Sequence, residues 1–334
     1  MDSKSALVVT SIASPNEVLR KLAEGCVRNG AQFIVIGDVP SPADFSMAGC
    51  DFYSIERQAQ TGFSVEELLP KRHYSRKNLG YLLAARGGAE IIVETDDDNL
   101  PQDEFWRPRV RTQNIPLVTS HSWVNVYRYF TDRLIWPRGL PLDAIHGEVP
   151  ALEACESSLL DCPIQQGLAD GDPDVDAIYR LLFPEPVTFG RDRRVALGRG
   201  CWCPFNSQNT TIWREAFPLL YLPAFCSPRM TDIWRSLVAQ RIGWENGWHV
   251  LFHEATVFQQ RNEHDLLKDL QDEIPGYLNN RRIGEALENL PLKSGSQFLA
   301  ANLRRCYEEL VRLGVLDPRE LSLVDSWLRD IEGR

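Results

Sequence analysis

No run of this sequence reaches the roughly 18 consecutive apolar residues that a membrane span requires. The amino terminus, MDSKSALVVTSIAS, has too short an apolar stretch for an export signal. Basic residues are outnumbered, 36 Lys and Arg against 46 Asp and Glu for a net charge of −10, which argues against coating nucleic acid or clinging to an anionic membrane surface. An anionic substrate would therefore need local help, from a metal or from placed Arg and Lys. The eight cysteines are scattered, and Cys201-Trp-Cys203 has no second paired cluster to complete a structural zinc site. Reduced thiols in a cytoplasmic protein are the expectation. Several chemistries lack their motifs. There is no G-x-x-x-x-G-K-[ST], no G-x-G-x-x-G after the first strand, no G-x-S-x-G and no H-E-x-x-H, and TDDDNLPQDE lacks the glycine an EF-hand loop needs.

What is there is an ordinary globular composition, 43% hydrophobic and 25% charged over 334 residues. ALVVTSI (6–12) has the β-branched, apolar character of a buried strand. Ser14-Pro15-Asn16-Glu17 then offers a capping box, and Val18, Leu22 and Cys26 fall on one helical face before Gly30. QFIVIGD (32–38) is a second strand ending in an aspartate. A helix is predicted from Ser75 to about Arg86, followed by the strand AEIIVET. Strand, helix, strand with short connections implies a parallel sheet. The middle, about 100–200, is rich in Pro, Arg and aromatics, with a loop expected at GLADGDPDVDA (167–177). CWCPFNSQNTTIW reads as a loop feeding a strand. MTDIWRSLVAQRIGWENG (230–247) reads as a helix capped by Thr231 or Asp232, and GWHVLFHEATVF (247–258) as a strand. After 262 the sequence turns helical and charged.

The stretch EIIVETDDDNLP (90–101) poses the functional question, because Asp96, Asp97 and Asp98 repel one another directly after an apolar strand. In open parallel sheets ligands collect beyond the carboxyl ends of the strands, and Asp38 ends a strand in the same way. Asp96 and Asp98, in D-x-D spacing, suit a hard cation such as Mg²⁺ or Mn²⁺ that takes few carboxylates and fills its shell with water and phosphate oxygens. The plain structural alternative is an acidic turn before a helix near Pro101. Asp232, at a helix start, is either a cap or a general base for an acceptor hydroxyl. His253 is either a packed strand residue or a third metal ligand. Arg76, Lys77 and Asn78 lie in a first helical turn, where they meet phosphates or form a solvated basic turn.

Three blocks carry a resemblance: SRKNLGYLLAARGGAEIIVETDDDN (75–99), PFNSQNT (204–210) and PRMTDIWRSLVAQRIGWENGWHVLFHEATVFQQRNEHDLLKD (228–269). In consistent order across roughly 70–275, they resemble the STELLO-type glycosyltransferase family. They resemble more faintly the reversibly glycosylated polypeptides, or UDP-arabinopyranose mutases, which also end a strand in a D-D-D run. The resemblance implies a GT-A fold, a nucleotide-sugar-binding α/β sandwich whose D-x-D motif holds Mn²⁺ or Mg²⁺ on the donor diphosphate. It makes Asp96 and Asp98 the metal-binding aspartates with Asp97 beside them, Asp232 the catalytic base, and His253 a late metal ligand. It places Thr10 and Asp38 against base and ribose; Arg76, Lys77, Asn78, Asp97, Asn206, Gln208, Asn209, Trp234 and Arg235 are the further substrate-binding candidates.

The expected architecture is thus α/β, with a mostly parallel central sheet flanked by helices over 1–262 and a helical extension over 263–334. The expected activity is transfer of a sugar from a UDP-sugar to an acceptor hydroxyl on a glycan, lipid-linked glycan or protein. The alternatives are a UDP-sugar mutase and a non-catalytic assembly partner.

Overall fold

The computed structural model describes residues 1–2, 4–119, 122–260 and 265–333. The first part of the chain lays down β1 (Ser5–Thr10), α1 (Glu17–Asn29), β2 (Gln32–Ile36), β3 (Asp51–Tyr53), α2 (Ile55–Ala59), α3 (Lys77–Arg86), β4 (Ile91–Thr95) and β5 (Asn99–Pro101). β6 (Thr112–Val118), β7 (Ser122–Trp123), β8 (Ser157–Asp161), β9 (Ile164–Gly171), α4 (Ala177–Leu182), β10 (Arg194–Leu197), β11 (Cys201–Trp202) and β12 (Asn209–Trp213) follow. α5 (Thr231–Glu245) and β13 (Val250–Gln259) complete the sheet. Three helices, α6 (Leu266–Glu288), α7 (Leu299–Arg312) and α8 (Glu320–Glu332), end the chain.

The sheet runs β3-β2-β1-β4-β12-β9-β13-β10-β6-β8, with β5 paired to β13 off this path. β1 to β4 are mutually parallel, β12 runs against β4 and β9, and β9 and β13 are parallel again. This is the expected α/β architecture with a mostly parallel central sheet. β1, β2 and β4 are largely apolar because both faces of this part of the sheet are covered. Ala6 and Val8 of β1 join the core under α3 and α5, whereas Leu7 and Val9 pack with Val18, Leu19 and Leu22 of α1 on the opposite face. Each such buried aliphatic side chain contributes about 1.5–3 kcal/mol.

Local signals decide where the elements begin. Helix α1 is capped by Asn16, whose Oδ1 accepts from Leu19 N at 2.8 Å, two residues later than the predicted capping box. It ends at Gly30 in the left-handed region (φ 68°), as glycine allows. The predicted loop at 167–177 is only half loop. Its first residues, Gly167 to Gly171, continue the fully buried strand β9. A strand with Gln and Asp inside it survives burial because those groups are bonded: Asp170 accepts from Phe189 N and Arg191, and Gln166 from Asn206 N and Thr210. Gly167 is required here, since an added Cβ would lie 2.4 Å from Asn209 Nδ2 and 2.7 Å from His253 Cε1. Gly167→Ala is expected to cost about 1–3 kcal/mol of stability in urea unfolding.

The carboxyl-terminal helices pack into the main core. Leu303, Tyr307, Leu323 and Trp327 share a cluster with Ile92 and Phe217, and the buried Glu320 carboxylate accepts from Ala224 N and Phe225 N. The first of these helices, α6, runs unbroken through Pro275. The expected boundary at 262/263 falls among residues 261–264, outside the described residues. All eight cysteines are free thiols. Among the described residues no helix is long and apolar enough to cross a membrane.

Candidate active-site cleft

The carboxyl ends of β1, β2, β4 and β13 open onto one cleft of about 660 Å³, inside the usual range for a ligand site. Thr10 and Ser11 arrive from β1, Asp38 from just past β2, Asp96, Asp97 and Asp98 from the turn between β4 and β5, and Gln259 from the last residue of β13. The shared edge read from the sequence for Asp38 and the acidic run is therefore real. The run is a strand-to-strand turn rather than the start of a helix.

Each carboxylate of the turn is held differently. Asp96 Oδ1 accepts from Tyr74 OH at 3.0 Å and faces Lys77 Nζ at 3.3 Å. Burial raises its pKa, with Lys77 pulling the other way. Asp97 accepts from Ser11 Oγ, and its backbone carbonyl accepts from Asn16 Nδ2 at 2.8 Å, so the cap of α1 also pins the turn. Burial raises Asp97 as well. Asp98 Oδ2 accepts from Gln259 Nε2 at 3.2 Å. Asp38 accepts from His73 N at 2.9 Å and from Val39 N at 2.7 Å. Burial lowers His73 against the pull of Asp38, and its Nδ1 accepts from Ser75 N, so the neutral ring carries its proton on Nε2.

Asp232 lines the same cleft but does not cap its helix; Met230 occupies the cap position. Its carboxylate forms a two-pronged pair with Arg138 (Nη1–Oδ1 3.1 Å, Nη2–Oδ2 2.9 Å), and Ser207 N and Oγ also donate to it. Arg138 grips Asp174 equally (Nε–Oδ1 2.8 Å, Nη2–Oδ2 2.9 Å). Burial would lower this guanidinium, but Asp174 and Asp232 overrule it and raise it well above its ordinary value. Arg138→Met would leave two buried carboxylates facing each other and is expected to cost about 3–5 kcal/mol in thermal or urea unfolding.

The other expected site residues divide between the cleft and structural partners. Arg76 lines the cleft, with its guanidinium bonded to Gln58, Leu69 O and Glu66. Lys77 bends beneath the cleft, reaching Thr95 O and Ser207 O besides Asp96. Asn78 clamps Leu222 through both its amide groups. None of the three is a solvated basic turn, and Lys77 alone touches a cleft carboxylate. Asn206 and Gln208 do line the cleft, Gln208 bonded to Gln259. Asn209 instead ties β12 to Leu168 O and Thr256. Trp234 donates to Asn280 at 2.8 Å, fastening α5 to α6, and Arg235 forms a buried pair with Glu94 at 2.6 Å.

His253 is not brought to the aspartates. It lies mid-strand opposite Gly167 and Arg194, six residues before Gln259 reaches the cleft, and lines a separate small cavity with Arg109 and Arg194. Its Nδ1 donates to Glu254 O at 3.0 Å, and burial, then Arg109, pushes its pKa down to about 3. Alternation along β13 fixes which side it faces, but the strand carries it too far from the edge to share a cation.

The donor set suits a cation of the Mg²⁺ or Mn²⁺ type. Among the described residues no group of three or more His, Cys, Asp or Glu side chains is arranged for a metal. Asp96 and Asp98 nonetheless offer carboxylate oxygens on one turn, and such ions take one or two carboxylates plus substrate phosphates and water. Residues the sequence reading missed include Tyr74, Arg138 and Asp174, together with Arg72, which lines the cleft while holding a positive φ of 57°.

Comparison with known proteins agrees with the sequence blocks. The model of the STELLO glycosyltransferases matches residues 229–333. Two Arabidopsis thaliana proteins, described as probable glycosyltransferases STELLO2 and STELLO1, are 34% and 33% identical over 272 and 270 residues. The alignments cover 75% of this chain but only 35% and 34% of those proteins, so the chain spans about a third of their length. Among solved structures, a mycobacterial protein and the M. tuberculosis glucosyl-3-phosphoglycerate synthase align over 94% of this chain and over 76% and 82% of their own. Both are 13% identical to it, with TM-scores of 0.41 and 0.37, values that carry no argument about function. The chain is a relative of the STELLO glycosyltransferases, as the blocks in its sequence imply.

Proposed function

We propose that this chain transfers a sugar from a UDP-sugar to an acceptor hydroxyl and needs Mn²⁺ or Mg²⁺ to do so. The observation that supports this most is the convergence of Thr10, Asp38 and the 96–98 turn on one cleft. Its carboxylates, Asp38, Asp96, Asp97, Asp98, Asp174 and Asp232, would repel a diphosphate unaided. A divalent ion held by Asp96 and Asp98 would neutralise the phosphate oxygens and stabilise the departing diphosphate.

The chain's own groups supply orientation and proton handling. Asp38 and Thr10 sit where a nucleoside would meet the strand ends, and Ser11 keeps Asp97 turned inward. Arg72 is a cationic group on the cleft wall that favours an anionic ligand, whereas Arg229, on the same wall, is paired with the buried Glu273 at 2.8 Å. In an inverting transfer Asp232 takes the acceptor proton once Arg138 yields one of its bonds. Arg138 stays charge-paired through Asp174 while it does so. Asp232→Asn keeps the shape and is expected to lower kcat by about 10²–10⁴-fold while UDP affinity is retained. An undiminished kcat would remove Asp232 from the chemistry.

Incubation with UDP-sugars and Mn²⁺ tests the reading directly. UDP release is expected. Ring isomerisation without release would favour the mutase, and no response to any nucleotide would favour a non-catalytic partner.

A further inference from the structure

A second cavity, of about 510 Å³, adjoins the donor cleft, and Gln259 belongs to the wall of both. The same side chain donates to Asp98 and accepts from Gln208, so what backs the acidic turn also bounds this neighbouring space. The walls come from the end of β9 and the segment after it, from the end of β13 and from Leu266 at the start of α6. Two exposed or half-buried phenylalanine rings, Phe258 and Phe183, lie on them. Phe258 is 37% exposed although it sits next to the end of a central strand, and the half-buried Phe183 packs against Tyr179 at 5.2 Å. Pro184, Pro186 and Val187 extend the apolar side.

The charge on these walls narrows the ligand. The cation among the described lining residues is Arg180, and its guanidinium is spent on Asp172 Oδ1 at 3.1 Å, Val175 O at 2.9 Å and Pro173 O at 2.8 Å. Glu185, Gln259 and Gln260 complete the polar lining. Among the described lining residues none offers an unspent guanidinium or ammonium to a phosphorylated or carboxylated ligand. The wall offers ring faces, whose negative quadrupole attracts polarised C–H groups, beside amide and carboxylate hydrogen-bonding groups for hydroxyls. That pairing matches an uncharged sugar.

Resting on the transferase reading above, we propose that this cavity is the acceptor site and that it takes a neutral oligosaccharide. The acceptor hydroxyl oxygen bonds to the donor's anomeric carbon as the bond from that carbon to the diphosphate breaks. UDP leaves with the electron pair, and the hydroxyl proton passes to Asp232 or to the leaving phosphate oxygen.

Saturation-transfer NMR on the whole chain tests this without turnover. The probes are α-1,4- and β-1,4-linked glucose tetrasaccharides, with glucose 6-phosphate as the charged comparison, and UDP with Mn²⁺ is titrated in parallel. At least one tetrasaccharide is expected to receive saturation more strongly than glucose 6-phosphate. Phe183→Ala and Phe258→Ala are each expected to weaken its binding about tenfold without changing UDP affinity, which also reports that each variant is folded. Failure of both tetrasaccharides to bind, binding untouched by both substitutions, or stronger binding of glucose 6-phosphate overturns the proposal. Failure of UDP to bind while the tetrasaccharide is lost in the Phe variants would instead sink the transferase reading and leave the sugar cavity standing.

Discussion

Asp98→Asn is expected to abolish the Mn²⁺-dependent part of UDP binding while leaving the fold almost unchanged. The amide keeps an oxygen to accept from Gln259 Nε2, so stability should move by less than about 1 kcal/mol. What the substitution removes is a negative oxygen at the turn. Outer partners of a metal cost about 10–100-fold when replaced, so a direct ligand should reach or pass the upper end. Calorimetric titration should therefore give the variant, with Mn²⁺ present, the affinity that the unaltered protein shows in EDTA. Equal affinity in variant and wild type would show that the turn holds no cation.

The second large effect concerns stability. Arg235 and Glu94 form a pair in which neither side chain is more than 2% exposed, with Tyr81 OH also bonded to the carboxylate. Arg235→Met strands Glu94 in the core and is expected to cost about 3–5 kcal/mol, a fall in Tm of roughly 4–7 degrees. Converting Glu94 to Leu in the same chain should recover much of that loss, because replacing both charges removes their desolvation cost together. UDP affinity of the folded single variant should be normal. Unchanged Tm with lost UDP binding would return Arg235 to the substrate site.

These outcomes bear on what the sequence made legible. β1, β2 and β4 were readable because strands buried on both faces are continuous apolar runs, and the acidic turn was readable because its neighbours on the edge end in the same way. Lys77 and Arg235 show the limit of local spacing. Lys77 lies in a first helical turn, as expected of a phosphate-binding residue, and Arg235 lies one turn into α5, yet their charged ends reach partners 18 and 141 positions away. The Asp174–Arg138–Asp232 lattice was invisible for the same reason, its bonds spanning 36 and 94 positions. His253 failed through distance rather than face, since period-two alternation says which side a residue points to but not how far along the strand it lies. β9 was missed because its Gln, Gly and Asp read as turn residues until their long-range bonds are known.

The central claim is that the cleft binds a nucleoside diphosphate through a cation seated on the 96–98 turn. The most direct test is titration of UDP into the unaltered chain, once with Mn²⁺ and once with EDTA. Binding that weakens by at least about 100-fold on chelation is the predicted result. Binding of equal strength in both, or none in either, would contradict it.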